Sequence, residues 1–185
     1  MATRMNAEEA GQALVEVTLG LIVLCVFVLG IIDFGRAIYD VQVMKNLVGE
    51  GSSMASRQTS SLGQAVTIVT SDAGNDLHMS TNGCVIITQV TNQNGGSPPI
   101  IQVVAQASGG GISCSSKVGC LSGQGSCTSS SASLPNAAVN ALTTEGLGSS
   151  VYATEIYYNF TAITPLPGFL GSHVLPSQLY SVAYY

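Results

Sequence analysis

The sequence predicts an α+β protein in which a long N-terminal transmembrane and amphipathic helix precedes a small antiparallel β-sheet ectodomain. The run from Val17 to Ile32 is apolar and uncharged. Two β-branched runs, 84–91 and 100–105, flank a segment rich in Asn, Gly and Pro. An aromatic and β-branched run at 151–163 is followed by a similar tail at 178–185. The first pattern suits a membrane-length helix and the others suit strands. Hydrophobic residues make up 46% of the chain and charged ones 8%, which fits a membrane-anchored, exported protein. A net charge of -5 and a pI near 4.7 argue against a nucleic-acid partner. The basic residues Arg4, Arg36, Lys45, Arg57 and Lys117 form no cluster.

Crossing a bilayer takes about 20 apolar residues, and Ala13 to Ile32 supplies them over roughly 30 Å of helix. Only Glu16 violates the run. A carboxylate in a membrane helix costs a few kcal/mol, roughly, and points to a function or a partner. The simpler alternative is that Glu16 lies at the membrane edge and reaches the headgroups. Met1 to Gly11 is too polar for a secretory signal, and the apolar run is too long for the core of one, so 1–11 reads as a short cytoplasmic leader. Cys25 falls within the span as a small packing residue.

Beyond the span, Phe34, Ala37, Ile38, Val41, Met44 and Val48 recur at helical spacing with Arg36, Asp40 and Lys45 interleaved. This predicts an amphipathic extension, so that 12–57 is one helical region whose stripe covers its own domain or a neighbouring helix. Gly49 and Gly51 weaken it, and Ser52 to Gly63 reads as its end or a hinge.

Several residues now carry a family resemblance. Gly11-Gln12-Ala13, Val15-Glu16, the Gly30-Ile31-Ile32-Asp33-Phe34-Gly35-Arg36-Ala37 block, and Ala55 with Arg57 resemble the TadE-like minor pilins of tight-adherence (Tad/Flp) systems. Glu16 at the fifth position after Gly11 resembles the processing signal of type IV pilins and pseudopilins, although Val17 stands where the family more often has an aromatic. The resemblance covers about a quarter of the chain. It implies cleavage by a prepilin peptidase between Gly11 and Gln12, which would place the new Gln12 ammonium one helical turn from Glu16 on the same face. A neighbouring subunit could supply the same ammonium.

The resemblance further implies a structural role in a Tad-type pilus and its inner-membrane assembly complex, supporting adhesion. Other pilins and Tad-type assembly proteins would be the partners. The expected topology is single-pass in a bacterial inner membrane, N-terminus cytoplasmic and 58–185 exported. Arg36 and Lys45 after the span, against Arg4 before it, would favour the reverse by loop charge, but the implied processing and the cysteine distribution outweigh that count. Two alternatives share the same helix chemistry: an unprocessed membrane-anchored periplasmic scaffold, and a major filament-forming pilin.

Cys84, Cys114, Cys120 and Cys127 all lie in 58–185, an even set that fits disulfides in an oxidising compartment. Cys120 with Cys127 and Cys84 with Cys114 is the preferred pairing. The first closes a short Gly-rich loop, and the second ties that loop to the hairpin. A metal site is disfavoured, because paired Cys-x-x-Cys units are missing and His78 and His173 are remote in sequence.

Within the exported region, 62–77 is ambiguous between helix and strand. Runs 84–91 and 100–105 form a hairpin across the loop at 92–99. Residues 108–133 form a Gly/Ser/Cys-rich loop, read either as an exposed contact loop or, preferably, as an insertion under little constraint. Val151 to Ile163, ended by Pro165 and Pro167, and the tail from Gln178 complete a sheet of three to five strands packed on the helix. An enzyme is not expected, and neither is a cofactor. No Gly-x-Ser-x-Gly elbow and no phosphate loop occur, His78 beside Asp76 suits a local hydrogen bond, and Asp72 with Asp76 makes a poor cation site. Asn159-Phe160-Thr161 matches a glycosylation sequon but falls within a predicted strand.

Overall fold

The computed structural model describes residues 7–57, 61–72, 77–94, 100–119, 134–165 and 176–185, with side chains from Gly11 onward apart from Asp72. In chain order the elements are α1 (Ala7–Ser56), α2 (Leu62–Asp72), α3 (Met79–Asn82), β1 (Gly83–Asn92), β2 (Ile101–Gly110), α4 (Asn136–Glu145), β3 (Ser150–Asn159) and β4 (Gln178–Tyr184). The class is α+β, as the sequence predicts: a long apolar helix followed by a four-stranded antiparallel sheet of order β2-β1-β3-β4. The chain divides into two compact units. One comprises Met1–Ile38 with Thr161–Pro176, and the other Tyr39–Phe160 with Ser177–Tyr185.

In the first unit the helix is already formed at Ala7, so residues 7–11 of the expected leader are helical. Side chains from Gly11 to Val28 are exposed. Thr18 satisfies its own hydroxyl by donating to the Leu14 carbonyl at 2.7 Å, a polar group thereby made compatible with an apolar surround. An 18-residue window here has a mean hydropathy of 2.8 and is 0% buried, so the helix is long and apolar enough to cross a membrane.

In the second unit the helix continues to Ser56 through both Gly49 and Gly51. A Cβ added at Gly51 would stand 3.1 Å from both the Thr154 and Val69 side chains. The glycine lets the helix lie close against β3 and α2, and that packing outweighs its poor helix propensity. The buried stripe differs from the predicted one. Within this unit Met44 and Val48 are buried as expected and Val41 is half-buried, while Asp40, Leu47, Ser52 and Ala55 are buried too; on the first unit's part of the helix Ala37 is buried as expected, Asp33 is also buried, and Phe34 and Ile38 are exposed. The true stripe, 33-37-40-44-47-51-55, is therefore turned from the one drawn through apolar side chains alone. Ser52, buried beside this stripe, donates to the Val48 carbonyl at 2.8 Å and to the Ala183 carbonyl of β4 at 3.2 Å.

The ambiguous segment resolves as the helix α2, with Ala65, Val66 and Val69 buried against β1 and β2. Its β-branched core is overridden by packing. β1 and β3 are central and buried on both faces, which explains why their sequences read as near-continuous apolar runs. On one face Gly51 of α1 meets Thr154 and Val69. On the other, Val90, Val103 and Ala153 pack with Val118, Cys84, Ile86 and Tyr157 pack with Ile112 and Cys114, and Val151 packs with Ala138 and Leu142 of α4.

Two boundaries and one helix differ from the sequence reading. β2 runs on through Ser108–Gly110, where loop was expected, because the long partner strand β1 supplies pairing as far as Cys84↔Gly110. β3 ends at Asn159, ahead of the prolines, where pairing with β4 ends at Asn159↔Gln178. α4, which the composition did not announce, is closed by Gly146 at φ 89, whose N–H donates to the Leu142 carbonyl at 3.2 Å. His78 stands at the start of α3 with a left-handed φ of 46. Cys120, Cys127, Asp76, Pro167, His173 and most of the 108–133 loop lie outside the described residues.

Candidate functional site

The residues expected from the sequence to serve processing and assembly lie at the start of the apolar helix. Gly11, Gln12 and Glu16 are exposed on consecutive turns of α1, with Gln12 and Glu16 separated by four positions on one face. Glu16 has no hydrogen-bond or ionic partner among the described residues. Leu14, Val15, Val17 and Leu19 around it are exposed as well. Cys25 is a free, exposed thiol on the same helix. The described residues therefore bring nothing to Glu16.

A second acidic residue in this unit is built differently. Asp33, one residue past the span, accepts hydrogen bonds from the Ile163 amide at 3.1 Å, the Thr164 amide at 3.4 Å and the Thr164 hydroxyl. Arg36 donates to the Thr161 carbonyl at 3.4 Å.

The second unit contains a polar centre that the sequence reading left unassigned. Glu155, fully buried on β3 opposite Ile86, faces the segment that precedes Gly119. Its carboxyl accepts from the Lys117 amide at 2.8 Å, the Tyr180 hydroxyl at 2.9 Å, the Tyr157 hydroxyl at 3.4 Å and the Ser116 hydroxyl. The Lys117 ammonium lies 3.7 Å above the Tyr180 ring, and the Tyr157 and Tyr180 rings are 4.9 Å apart. Burial, then the Glu155 charge and its hydrogen bond, push the Tyr157 phenol up to about 12 and raise Tyr180 and Tyr184 as well. The available signal was an acid in the middle of an aromatic strand, on the face that period-2 alternation shares with Ala153 and Tyr157.

Cys84 at the start of β1 is joined by a disulfide to Cys114, with 6.3 Å between their Cα atoms. Together with Glu155 it fastens the segment 112–119 across the sheet. A cavity of about 400 Å³ beside it is lined, among the described residues, by Ser113, Cys114, Ser115, Tyr157 and Gln178, none of which brings a carboxylate, imidazole or amine. Among the described residues no group of three or more His, Cys, Asp or Glu is placed to hold a metal ion.

Residues 11–53 match the family model of TadE-like proteins, a stretch that begins at Gly11 and includes Glu16 and the Gly30–Ala37 block. No curated protein and no solved structure matches the chain. Over that stretch, which holds the exposed apolar helix with Glu16 and that block, the chain is similar to TadE-like proteins.

Proposed function

We propose that this chain is a TadE-like minor pilin, a structural component of a Tad/Flp-type pilus and its inner-membrane assembly complex that supports adhesion. The observation that carries the proposal is Glu16, an exposed acid without a partner among the described residues, one helical turn from Gln12 on an apolar stretch whose side chains are exposed from Gly11 to Val28. A prepilin peptidase cuts between Gly11 and Gln12, and the Gln12 ammonium of a neighbouring pilin then meets Glu16. The helix spans a bacterial inner membrane with its N-terminus cytoplasmic, and residues 58–185 are exported. Cys84–Cys114 and a second bond, Cys120–Cys127, restrain the ectodomain.

A Cβ at Gly11 meets nothing within 4 Å, so Gly11→Leu leaves the fold intact while filling the position before the cut. The expected result is a native protein that begins at Gln12 by N-terminal sequencing and a Gly11→Leu protein that retains its leader. A wild-type protein that still begins at Met1 beside the cognate peptidase would refute processing.

One observation favours the unprocessed scaffold as a second reading. α1 is helical from Ala7, so the bond after Gly11 lies inside a helix and must unwind before a peptidase can reach it.

A further inference from the structure

The apolar surface of α1 does not stop where the uncharged run stops. Phe27, Ile31, Phe34 and Ile38 succeed one another at intervals of three and four residues, on one face, and are 67%, 71%, 50% and 58% exposed. Asp33 and Arg36 fall inside this stretch and would ordinarily mark its end. Both are turned to their own chain: Asp33 is 1% exposed and bonded to Ile163 and Thr164, and Arg36 is bonded to Thr161. The segment from Thr161 thereby belongs to the same compact unit as the helix. It presents Ile163, 70% exposed, within one residue of these bonds.

We infer that the segment Thr161–Pro165 is a second membrane contact, held at the bilayer interface by Asp33 and Arg36, with Ile163 inserted among the lipid headgroups and upper acyl chains. The inference rests on the reading that α1 crosses the membrane. From Ile32 to Ile38 the helix advances about 9 Å, enough to carry the apolar face through one headgroup layer. An acid at that depth is tolerated only when it is paired or hydrogen-bonded. The donors from Ile163 and Thr164 meet that requirement from within the chain, without a lipid or a second protein. Satisfying Asp33 and delivering Ile163 to the interface are thus the same contact.

The occupant is lipid because the exposed side chains around the clasp continue the face that begins in the most apolar window of the chain. Surface apolar residues in continuity with a membrane span add buried area at the interface.

The sequence contains no tryptophan, which supplies the test. Single variants Phe27→Trp and Ile163→Trp of the full-length protein are reconstituted into phosphatidylcholine and phosphatidylglycerol vesicles whose acyl chains are brominated near the headgroup. The expected result is blue-shifted emission from both, quenching of both by the brominated lipid, and iodide quenching of the Ile163→Trp protein several-fold weaker than after detergent extraction and denaturation. Lipid quenching of the Phe27→Trp protein alone, with the Ile163→Trp protein open to iodide, would overturn the interfacial contact and leave the membrane helix standing. Iodide access to both would overturn the membrane reading itself, and this inference with it. In a third arm Asp33→Ala is added to Ile163→Trp. The fluorophore should move to iodide-accessible positions, and continued lipid quenching would overturn the clasp.

Discussion

Glu16 and Glu155 are both acids set among apolar residues, and the chain treats them in opposite ways. Glu155 is closed inside the second unit and receives hydrogen bonds from Ser116, Lys117, Tyr157 and Tyr180. Glu16 stands exposed on the apolar helix with no partner among the described residues. A buried acid with its donors in place holds a fold together, because removing it strands those donors. An acid left open in an apolar helix holds nothing inside its own chain, and its cost is recovered only in contact with something else. The contrast separates a residue whose partners lie within the fold from one that has none among the described residues. Asp33 lies between them: it sits at the end of the membrane run but is satisfied internally, like Glu155.

The largest effect on stability is expected at Glu155. Glu155→Ala strands the Lys117 amide and the Ser116 and Tyr180 hydroxyls and should cost about 3 kcal/mol or more, read by denaturant unfolding of the full-length protein in micelles. A loss within error of zero would erase the distinction between the two acids. Next comes the Cys84–Cys114 bond, which closes a sequence separation of 30 residues. The Cys84→Ser, Cys114→Ser double variant should lose about 2–4 kcal/mol in the same assay, by freeing the unfolded chain.

An alkaline titration sharpens the comparison further. The folded protein holds the Tyr157 phenol near 12, above the ordinary value of 10.0, and Tyr180 is raised as well. The unfolded chain therefore gives up these protons first. The stabilisation from the neutral phenols is complete below pH 10 and is lost as pH rises towards 12. Tyr180→Phe should flatten this loss, and an unchanged pH profile of the melting temperature would count against the Glu155 cluster as its source. The smallest effect on stability belongs to Glu16→Ala, expected within about 0.5 kcal/mol of wild type. The same variant should insert normally yet fail to co-purify with pilus components from membranes. Wild-type recovery with normal adhesion would make Glu16 an edge residue.

Much of this architecture was legible in one dimension. Hydropathy over 13–32 marked the membrane-length helix, because the bilayer imposes a length that composition alone can meet. Period-2 and β-branched runs located β1, β3 and β4 to within a few residues, since central strands buried on both faces must be apolar throughout. The residues from Gly11 to the Gly30–Ala37 block also pointed to the TadE-like family, whose model matches 11–53.

The tertiary structure decided the rest, and in each case the cause is a contact distant in sequence. Asp33 reads as the polar end of a span until Thr164, 131 positions away, is seen to bond it. Asp40 and Ser52 look like solvent-facing breaks in an apolar stripe, yet they are buried, with Ser52 bonded to Ala183. Gly51 looks like a helix breaker until Thr154 and Val69 are found against it. Glu155 could be placed on a strand face from its spacing, but only folding brings Ser116, Lys117 and Tyr180 to its oxygens. Local sequence fixes what depends on solvent and on neighbours along the chain, such as length, periodicity and hydropathy. A polar residue's burial depends on donors that arrive from elsewhere, and their arrival is a property of the packed sheet and helix alone.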